Sequence, residues 1–245
     1  VYTNTDQEEV ARLLSKYDLT TICVLNDQNC LIGIVTADDV LDILTEEATE
    51  DIHKMSGIVP TDGSYLKTGI KEMVKSRISW LLILMISATF TGYILQYFED
   101  KLSALAILSA SIPIIMSTAG NAGAQSSTMV IRGIAVDDLN IKDIFIVLKK
   151  ELAVGLLCGA ILFVTNFIRL YIFGSKSTTF SISFVVSLTI TISLISANLA
   201  GGILPLIAKK LKMDPASAAA PLITTIVDAT SLIIYFMLAI AILKI

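Results

Sequence analysis

Five long apolar runs, each with at most one charged residue, dominate the chain after residue 77. A bilayer core of about 30 Å needs roughly 20 mostly apolar residues in an α-helix, so each run is long enough to cross a membrane once. The runs cover residues 78–98, 102–131, 152–173, 180–208 and 216–243. Hydrophobic residues make up 54% of the chain and charged residues 16%, a balance unlike that of an ordinary soluble domain. We therefore predict an α-helical membrane protein with five transmembrane helices.

The short flanks of these runs differ in their content of Lys and Arg. The richer side carries Lys67, Lys71, Lys75, Arg77, Arg132, Lys142, Lys149, Lys150, Lys209, Lys210 and Lys212. The other side carries Lys101, Arg169, Lys176 and Lys244. Because basic flanks remain in the cytoplasm, we expect a multi-pass protein of the plasma membrane with its amino terminus inside and its carboxyl terminus outside.

The first 56 residues have the pattern of a small α/β unit. The segment DQEEVARLLSKYDL has helical spacing of its apolar residues, TTICVL and CLIGIV are typical of strands, and ADDVLDIL begins a second helix. The cysteines Cys23, Cys30 and Cys158 have neither CxxC spacing nor companion histidines, so neither a zinc site nor a disulfide framework is indicated. The first residues are polar, so we expect no signal peptide.

The stretch GIVTADDV at the second strand supports two interpretations. Thr36 is followed three residues later by Asp39, which is the spacing of a capping box at a helix start. The same stretch resembles the signature of CBS domains, in which a hydroxyl and an acidic residue at this spacing contact the ribose of an adenine nucleotide. Thr36 and Asp39 are therefore candidate ligands of ATP.

Acidic residues are concentrated in the helix that follows. Six of them occur in little more than a dozen residues, namely Asp39, Asp42, Glu46, Glu47, Glu50 and Asp51. A solvated helix face is one interpretation of this charge run. Binding of a divalent cation is the other, because clustered carboxylates suit Mg²⁺ or Ca²⁺.

Polar residues inside the apolar runs are the candidate functional residues. Asp228 lies in APLITTIVDATSLIIYF with no cation nearby in sequence, and an ionisable group at membrane depth usually faces a bundle interior or a watery cavity. Its structural alternative is a protonated carboxyl bonded to Ser, Thr or backbone. Asn121, Gln125 and Asn198 lie in other runs, where helix-to-helix hydrogen bonding is the alternative to a pore-lining role.

Proline and glycine accompany these polar residues. They are Pro113, Gly120, Gly123, Gly201, Gly202, Pro205 and Pro221. Backbone carbonyls freed near them must be satisfied at membrane depth, and a water-lined cation path would satisfy them. No nucleophile paired with a base, HExxH motif or phosphate loop is present in the sequence, so we do not expect an enzyme.

Four stretches together resemble the MgtE family of magnesium transporters. They are PIIMSTAGNAGAQSS, ANLAGGILP, DPASAAAPLITTIVDATS and EEATEDIHKM, and the resemblance covers essentially the whole chain. It implies a homodimer of five-helix subunits in the lipid membrane, with a Mg²⁺-selective, channel-like pore and no nucleic-acid partner. A secondary transporter that exchanges Mg²⁺ against Na⁺ or H⁺ is the alternative.

The resemblance also implies roles for individual residues. Asp228 matches the pore acid, Asn121 matches a pore-lining asparagine, and the carbonyls around Ser117 and Thr224 match positions that offer backbone oxygens. Gly120, Gly123, Gln125, Asn198 and Pro221 are expected to line the same pore. The chain departs from the family pattern at Ala220 and Ser231, where an asparagine and a glycine are expected, which leaves selectivity among Mg²⁺, Mn²⁺, Co²⁺ and Ca²⁺ open.

Regulation is implied on the cytosolic side. In the family, cytosolic Mg²⁺ bridges acidic residues of the CBS region and a connecting helix and favours the closed pore. The matching residues here are Asp39, Asp42, Glu47, Glu50 and Asp51. We expect a CBS module over residues 1–56, a connecting helix over 57–77 and a five-helix pore domain over 78–245. The family typically has an acidic helical domain and two CBS modules, so we expect the chain to be truncated at its amino terminus.

Overall fold

The structure is a computed structural model that divides into two compact units, Val1–His53 and Lys54–Ile245. It describes residues 1–61, 65–98, 106–136, 139–174, 179–217 and 220–244. Each unit is considered by itself below.

The first unit contains a helix, a hairpin and the greater part of a second helix. In chain order these are α1 (Gln7–Lys16), β1 (Thr21–Leu25), β2 (Leu31–Thr36) and α2 (Ala37–Met55). The two strands are antiparallel, with one irregularity in the register at Val24/Leu25. The buried core consists of Val10, Ala11, Leu14 and Val40. This is the order of elements that the alternating pattern predicts.

The described part of residues 57–77 differs from the connecting helix predicted over this range. Helix α2 ends at Met55, residues 65–69 form turns and a bend, and the next helix starts only at Ile70. Gly57 has a positive φ of 68°, a conformation that ends helices. Pro60 follows, and a proline lacks the N–H that a helix interior needs. The basic stretch from Ile70 is instead continuous with the first long helix.

The second unit contains five long helices within the described residues. They are α3 (Ile70–Tyr97), α4 (Ala106–Val136), α5 (Ile144–Phe173), α6 (Phe180–Lys210) and α7 (Ala220–Leu243), and a short 3₁₀ turn at Ile141–Asp143 precedes α5. Within the described residues, α3, α5, α6 and α7 are long and apolar enough to cross a membrane. Helix α4 is the longest together with α6, at 31 residues, but it carries STAGNAGAQSS, whose small and polar residues lower its mean hydropathy. The described residues thus contain five long helices, and the count of five membrane spans stays a prediction.

Helix α6 is the central helix of this unit. In its most apolar window 56% of the residues are buried, against 6% for α3. Helix α6 packs against α4, α5 and α7, whereas α3 packs mainly along α7. Near one end of the α4 and α7 contact, the Tyr235 hydroxyl donates to the Leu108 carbonyl at 2.9 Å. The apolar surface of α3 is consequently exposed, as expected of a helix in contact with lipid.

The loop before α7 is fixed by charge. Lys54 Nζ lies 2.8 Å from Asp214 Oδ2, and the backbone N–H of Ala216 donates to Asp214 Oδ1 at 2.8 Å. Burial by itself would raise the pKa of Asp214, but the Lys54 ammonium and the Ala216 N–H outweigh it and lower this pKa below its ordinary value. These contacts of Asp214 hold the loop that precedes α7, the helix that carries Asp228.

Helices α4 and α6 cross in close contact at Gly201. A Cβ added to Gly201 would collide with the Gly123 carbonyl oxygen and would lie 3.0 Å from Ser126 Cβ. The Ser126 hydroxyl donates to the Asn198 carbonyl at 2.9 Å beside this contact. Only glycine allows the two backbones to approach so closely.

We predict that Gly201→Ala destabilises the protein, whereas Gly92→Ala does not. The added methyl at Gly201 forces α4 and α6 apart, and overpacking of this kind costs about 1–3 kcal/mol. Gly92 is the matched control, because an added Cβ meets nothing within 4 Å there. Its replacement by Ala gains about 0.5–1 kcal/mol of helix propensity. Thermal unfolding in detergent measures both, and a Gly201→Ala protein as stable as the parent would contradict the contact.

Candidate functional site

Asp228 lies on α7 where that helix faces α4. Its side chain is half-buried, and Oδ1 lies 3.8 Å from the position that a Cβ on Gly120 would take. The Thr224 methyl lies one turn earlier on α7, 3.5 Å from the same position. Within the described residues no hydrogen bond or ion pair neutralises the Asp228 carboxylate. The absence of a side chain at Gly120 therefore leaves room beside an uncompensated negative charge.

A row of polar side chains runs along the exposed face of α4. Ser117, Asn121 and Gln125 follow one another at intervals of four residues, and all three are exposed. Residues at this spacing share one face of a helix. The amide of Asn121 donates to the Ser117 hydroxyl at 3.5 Å, a long hydrogen bond that leaves most of the amide's capacity unused. Ser117, Asn121 and Gln125, which the sequence analysis expects near a pore, therefore share one exposed face of α4.

The opposite side of α4 is packed against its neighbours. At Gly123 an added Cβ would lie 3.0 Å from Ile223 Cγ2 and 3.3 Å from the Ala197 carbonyl oxygen. Gly123 therefore serves the contact of α4 with α6 and α7, and it is buried. The sequence analysis expects Gly123 to line the pore, but Gly123 does not lie in the exposed row of Ser117, Asn121 and Gln125.

Asn198 lies on a different helix from the exposed row but borders a cavity that the row also reaches. It lies on α6 with 5% of its surface exposed and borders a cavity of about 650 Å³ between α4, α5 and α6. Asn121 and Gln125 border the same cavity, but Asp228 does not. The structure thus brings Asn198 close to two of the predicted pore-lining residues and not to the predicted pore acid.

Ala220 and Ser231 are the two positions that depart from the family pattern, and the structure describes the side chain of Ser231. Ser231 is fully buried, and its hydroxyl has no hydrogen-bond partner within the described part of the chain. It lies in the packed interior of the helices and not beside the exposed row. Helix α7 begins at Ala220, and the side chains of Ala220 and Pro221 lie outside the described residues.

The acidic residues of α2 lie along the helix without converging. Asp39 and Asp51 are twelve positions apart, which corresponds to about 18 Å of helix. Asp39 accepts hydrogen bonds from the Thr36 hydroxyl at 2.6 Å and from the Thr36 N–H at 3.2 Å, which is half of a capping box. Glu47 accepts a hydrogen bond from Gln7 at 2.7 Å. Among the described residues no three His, Cys, Asp or Glu side chains group closely enough to hold a metal ion.

Two cavity residues were missed by the sequence analysis. Glu151 and Cys158 lie on α5 and line the cavity with Asn198. Glu151 directly precedes the apolar run that starts at residue 152, and the sequence analysis considered only Lys and Arg in the flanks. The only signal in the sequence was its position beside GLLCGA, where Gly155 and Gly159 allow close helix packing.

Two protein-family models match this chain, one in each unit. The family model of MgtE, described as a divalent cation transporter, matches residues 112–238, just over half of the chain. The CBS domain model matches residues 1–46, which confirms the module predicted at the start of the chain.

Three relatives are named magnesium transporter MgtE. The protein of Thermus thermophilus is 41% identical over 239 residues, which cover 98% of this chain and 52% of the relative. The protein of Bacillus subtilis is 37% identical over 96% of this chain and 51% of the relative. The protein of Enterococcus faecalis is 33% identical over 98% of this chain and 51% of the relative. The chain spans about half the length of these relatives.

The matched segment contains both Asn121 and Asp228, and the long apolar helices make the chain a multi-pass membrane protein. A family model that covers more than half of the sequence, together with these helices, establishes that the chain belongs to the MgtE family of divalent cation transporters, which are not enzymes.

Proposed function

We propose that the chain forms part of a pore that conducts Mg²⁺ across the plasma membrane down its electrochemical gradient. The observation that carries the proposal is the exposed polar row of α4 beside the uncompensated carboxylate of Asp228. A polar helix face is costly in lipid, so this face meets water or another protein surface. The names of the three relatives favour Mg²⁺ as the ion.

The chemistry of the row suits a hydrated divalent cation. Mg²⁺ binds hard oxygen ligands and dehydrates reluctantly, so it keeps several waters when a protein holds it. Asp228 supplies the charge, Asn121 supplies amide oxygen, and backbone carbonyls near Ser117 and Thr224 are further acceptors for bound water. Mn²⁺, Co²⁺ and Ca²⁺ prefer overlapping ligand sets, so they are the competitors to compare.

A homodimer would complete this pore. Ser117, Asn121 and Gln125 form only one wall, and their exposure in a single chain leaves the other wall open. A second copy related by a two-fold axis would present the same row across the axis and would bring two Asp228 carboxylates towards one ion. The cation between them would offset their repulsion.

The proposed orientation follows from the helix ends. If each of the five long helices crosses the membrane once, the two ends of the second unit lie on opposite sides. The basic residues before α3 and between α6 and α7 then lie in the cytoplasm, together with the CBS unit.

We predict that Asp228→Asn and Asp228→Ala lower Mg²⁺ uptake into liposomes by at least about tenfold, because the charge that attracts the ion is worth 1.5–3 kcal/mol or so in such contacts. Asn keeps the shape and removes only the charge. Asp27→Asn is the matched control, since Asp27 lies exposed in the hairpin turn of the first unit. Normal flux in correctly inserted Asp228 variants would overturn the proposal.

The same liposomes separate a pore from an exchanger. Flux driven by voltage, with single-channel currents, supports conduction, whereas flux that requires an imposed Na⁺ or H⁺ gradient supports exchange, with Asp228 as the site that binds the coupled ion in alternation. We propose conduction, because Ser117, Asn121 and Gln125 are all exposed along one face of α4.

We predict that Asn121→Leu reduces Mg²⁺ uptake about tenfold without loss of folding, because an apolar side chain in the row removes an oxygen acceptor for the hydrated ion. Thr165→Leu is the matched control. Thr165 is exposed on α5 among apolar neighbours, and its hydroxyl is already bonded to the Ile161 carbonyl at 2.8 Å. Equal losses of flux in both variants would mean that the row has no special role.

Regulation by cytosolic Mg²⁺ is part of the proposal and is supported by the family resemblance. The acidic residues Asp39, Asp42, Glu47, Glu50 and Asp51 lie along one helix, too far apart to enclose one ion among themselves. We propose that cations bridge them to other carboxylates of the assembled protein. ATP at Thr36 and Asp39 is proposed as a second regulator of the same unit.

We predict that Asp42→Asn combined with Glu47→Gln raises the cytosolic-side Mg²⁺ concentration needed to inhibit flux by roughly threefold, as expected when exposed charge pairs are removed. Glu46→Gln is the matched control, since Glu46 is exposed on the same helix and is not a proposed ligand. Addition of ATP to the assay should shift the inhibitory concentration for the parent. Identical inhibition curves in all cases would remove α2 from the mechanism.

A further inference from the structure

The cavity between α4, α5 and α6 has two chemically different walls. Its polar wall contains Thr118, Asn121, Gln125, Ser126, Glu151 and Asn198. Its apolar wall is formed mainly by Met129, Val154, Cys158, Ile161, Leu162 and Leu194. At about 650 Å³ the cavity has the size of small-molecule binding sites.

Two glycines bring the polar groups of α5 and α6 together. A Cβ on Gly202 would lie 3.0 Å from Glu151 Cγ, and a Cβ on Gly155 would lie 3.6 Å from Asn198 Nδ2. Glu151 and Gly155 are one turn apart on α5, and Asn198 and Gly202 are one turn apart on α6. The carboxylate and the amide are therefore held next to each other on a closely packed, rigid wall.

Neither group is satisfied by the protein. Asn198 is only 5% exposed. Its side-chain amide has no hydrogen-bond partner within the described ranges. Glu151 has no ion pair there either. A buried amide without a partner is costly, and a partly buried carboxylate lies next to it, which points to a ligand that supplies donors to both.

We propose that this cavity binds an amphipathic organic cation, an amine whose ammonium group pairs with Glu151 and Asn198 and whose apolar body lies on the opposite wall. A lipid tail would leave both polar groups unsatisfied. A bare divalent ion would find one carboxylate and a largely apolar lining, which is a poor ligand set. The cavity shares Asn121 and Gln125 with the exposed row of α4, but Asp228 does not line it, so the test below changes Glu151 and leaves the proposed pore acid intact.

Cys158 provides the measurement, because its exposed thiol lies on the cavity wall. With Cys23→Ser and Cys30→Ser it is the only thiol of the three in the chain. The protein in phosphatidylcholine nanodiscs is labelled with N-ethylmaleimide in the presence of 4-tert-butylbenzylamine or of the neutral 4-tert-butylbenzyl alcohol. We expect the amine to slow labelling at about tenfold lower concentration than the alcohol, as a charge-assisted contact predicts.

Glu151→Gln should abolish that difference between amine and alcohol, and Glu72→Gln, which removes an exposed carboxylate of α3, should preserve it. The comparison of the two compounds on the parent needs no variant of Glu151, so a folding defect in Glu151→Gln does not decide the result. Equal protection by amine and alcohol on the parent would identify a cavity for acyl chains and overturn the proposal. Unchanged labelling with both compounds would overturn it as well.

Discussion

The close crossing of α4 and α6 is the contact on which the rest of the membrane unit depends. Gly201 lies against the Gly123 carbonyl, so α4 cannot rotate about its axis without losing this contact. With Gly123 fixed inward, the residues at the spacing of Ser117, Asn121 and Gln125 are turned outward. One backbone contact between two small residues therefore determines which face of α4 is available for function.

The same crossing sets the electrostatics of the unit. Gly120 is turned towards α7, where its missing side chain leaves space next to Asp228 Oδ1. A carboxylate in this position has no cation of its own within the described residues, and a charge so placed in a medium of low dielectric constant requires a counter-ion. A mobile cation is the counter-ion that the geometry leaves room for. An ion that is held partly through its own water molecules is attracted to the site and can also leave it.

The sequence predicts five long apolar helices and singles out Asp228 as a candidate, but it does not predict which way each helix faces. Apolar runs predict spans because lipid permits few charges, and Asp228 stood out for the same reason. The burial of Gly123 and Asn198, and the entry of Glu151 into a cavity, depend on the rotation of each helix against its neighbours, which no local pattern encodes. The family resemblance implied a connecting helix over 57–77, whereas residues 57–61 and 65–69 are not helical, because Gly57 and Pro60 interrupt the helix.

Asp228 and Glu151 are acidic residues on the long apolar helices, and their surroundings differ. We therefore expect them to bind different cations. Asp228 adjoins an open polar row, where a fully hydrated ion can be held through its waters. Glu151 adjoins a buried amide and an apolar wall, where water has few partners and a cation with an apolar body gains from burial. Both carboxylates select positive charge, but the hydration that each site permits decides which cation binds. Since α4 contributes to both sites, its orientation against α6 controls the two together.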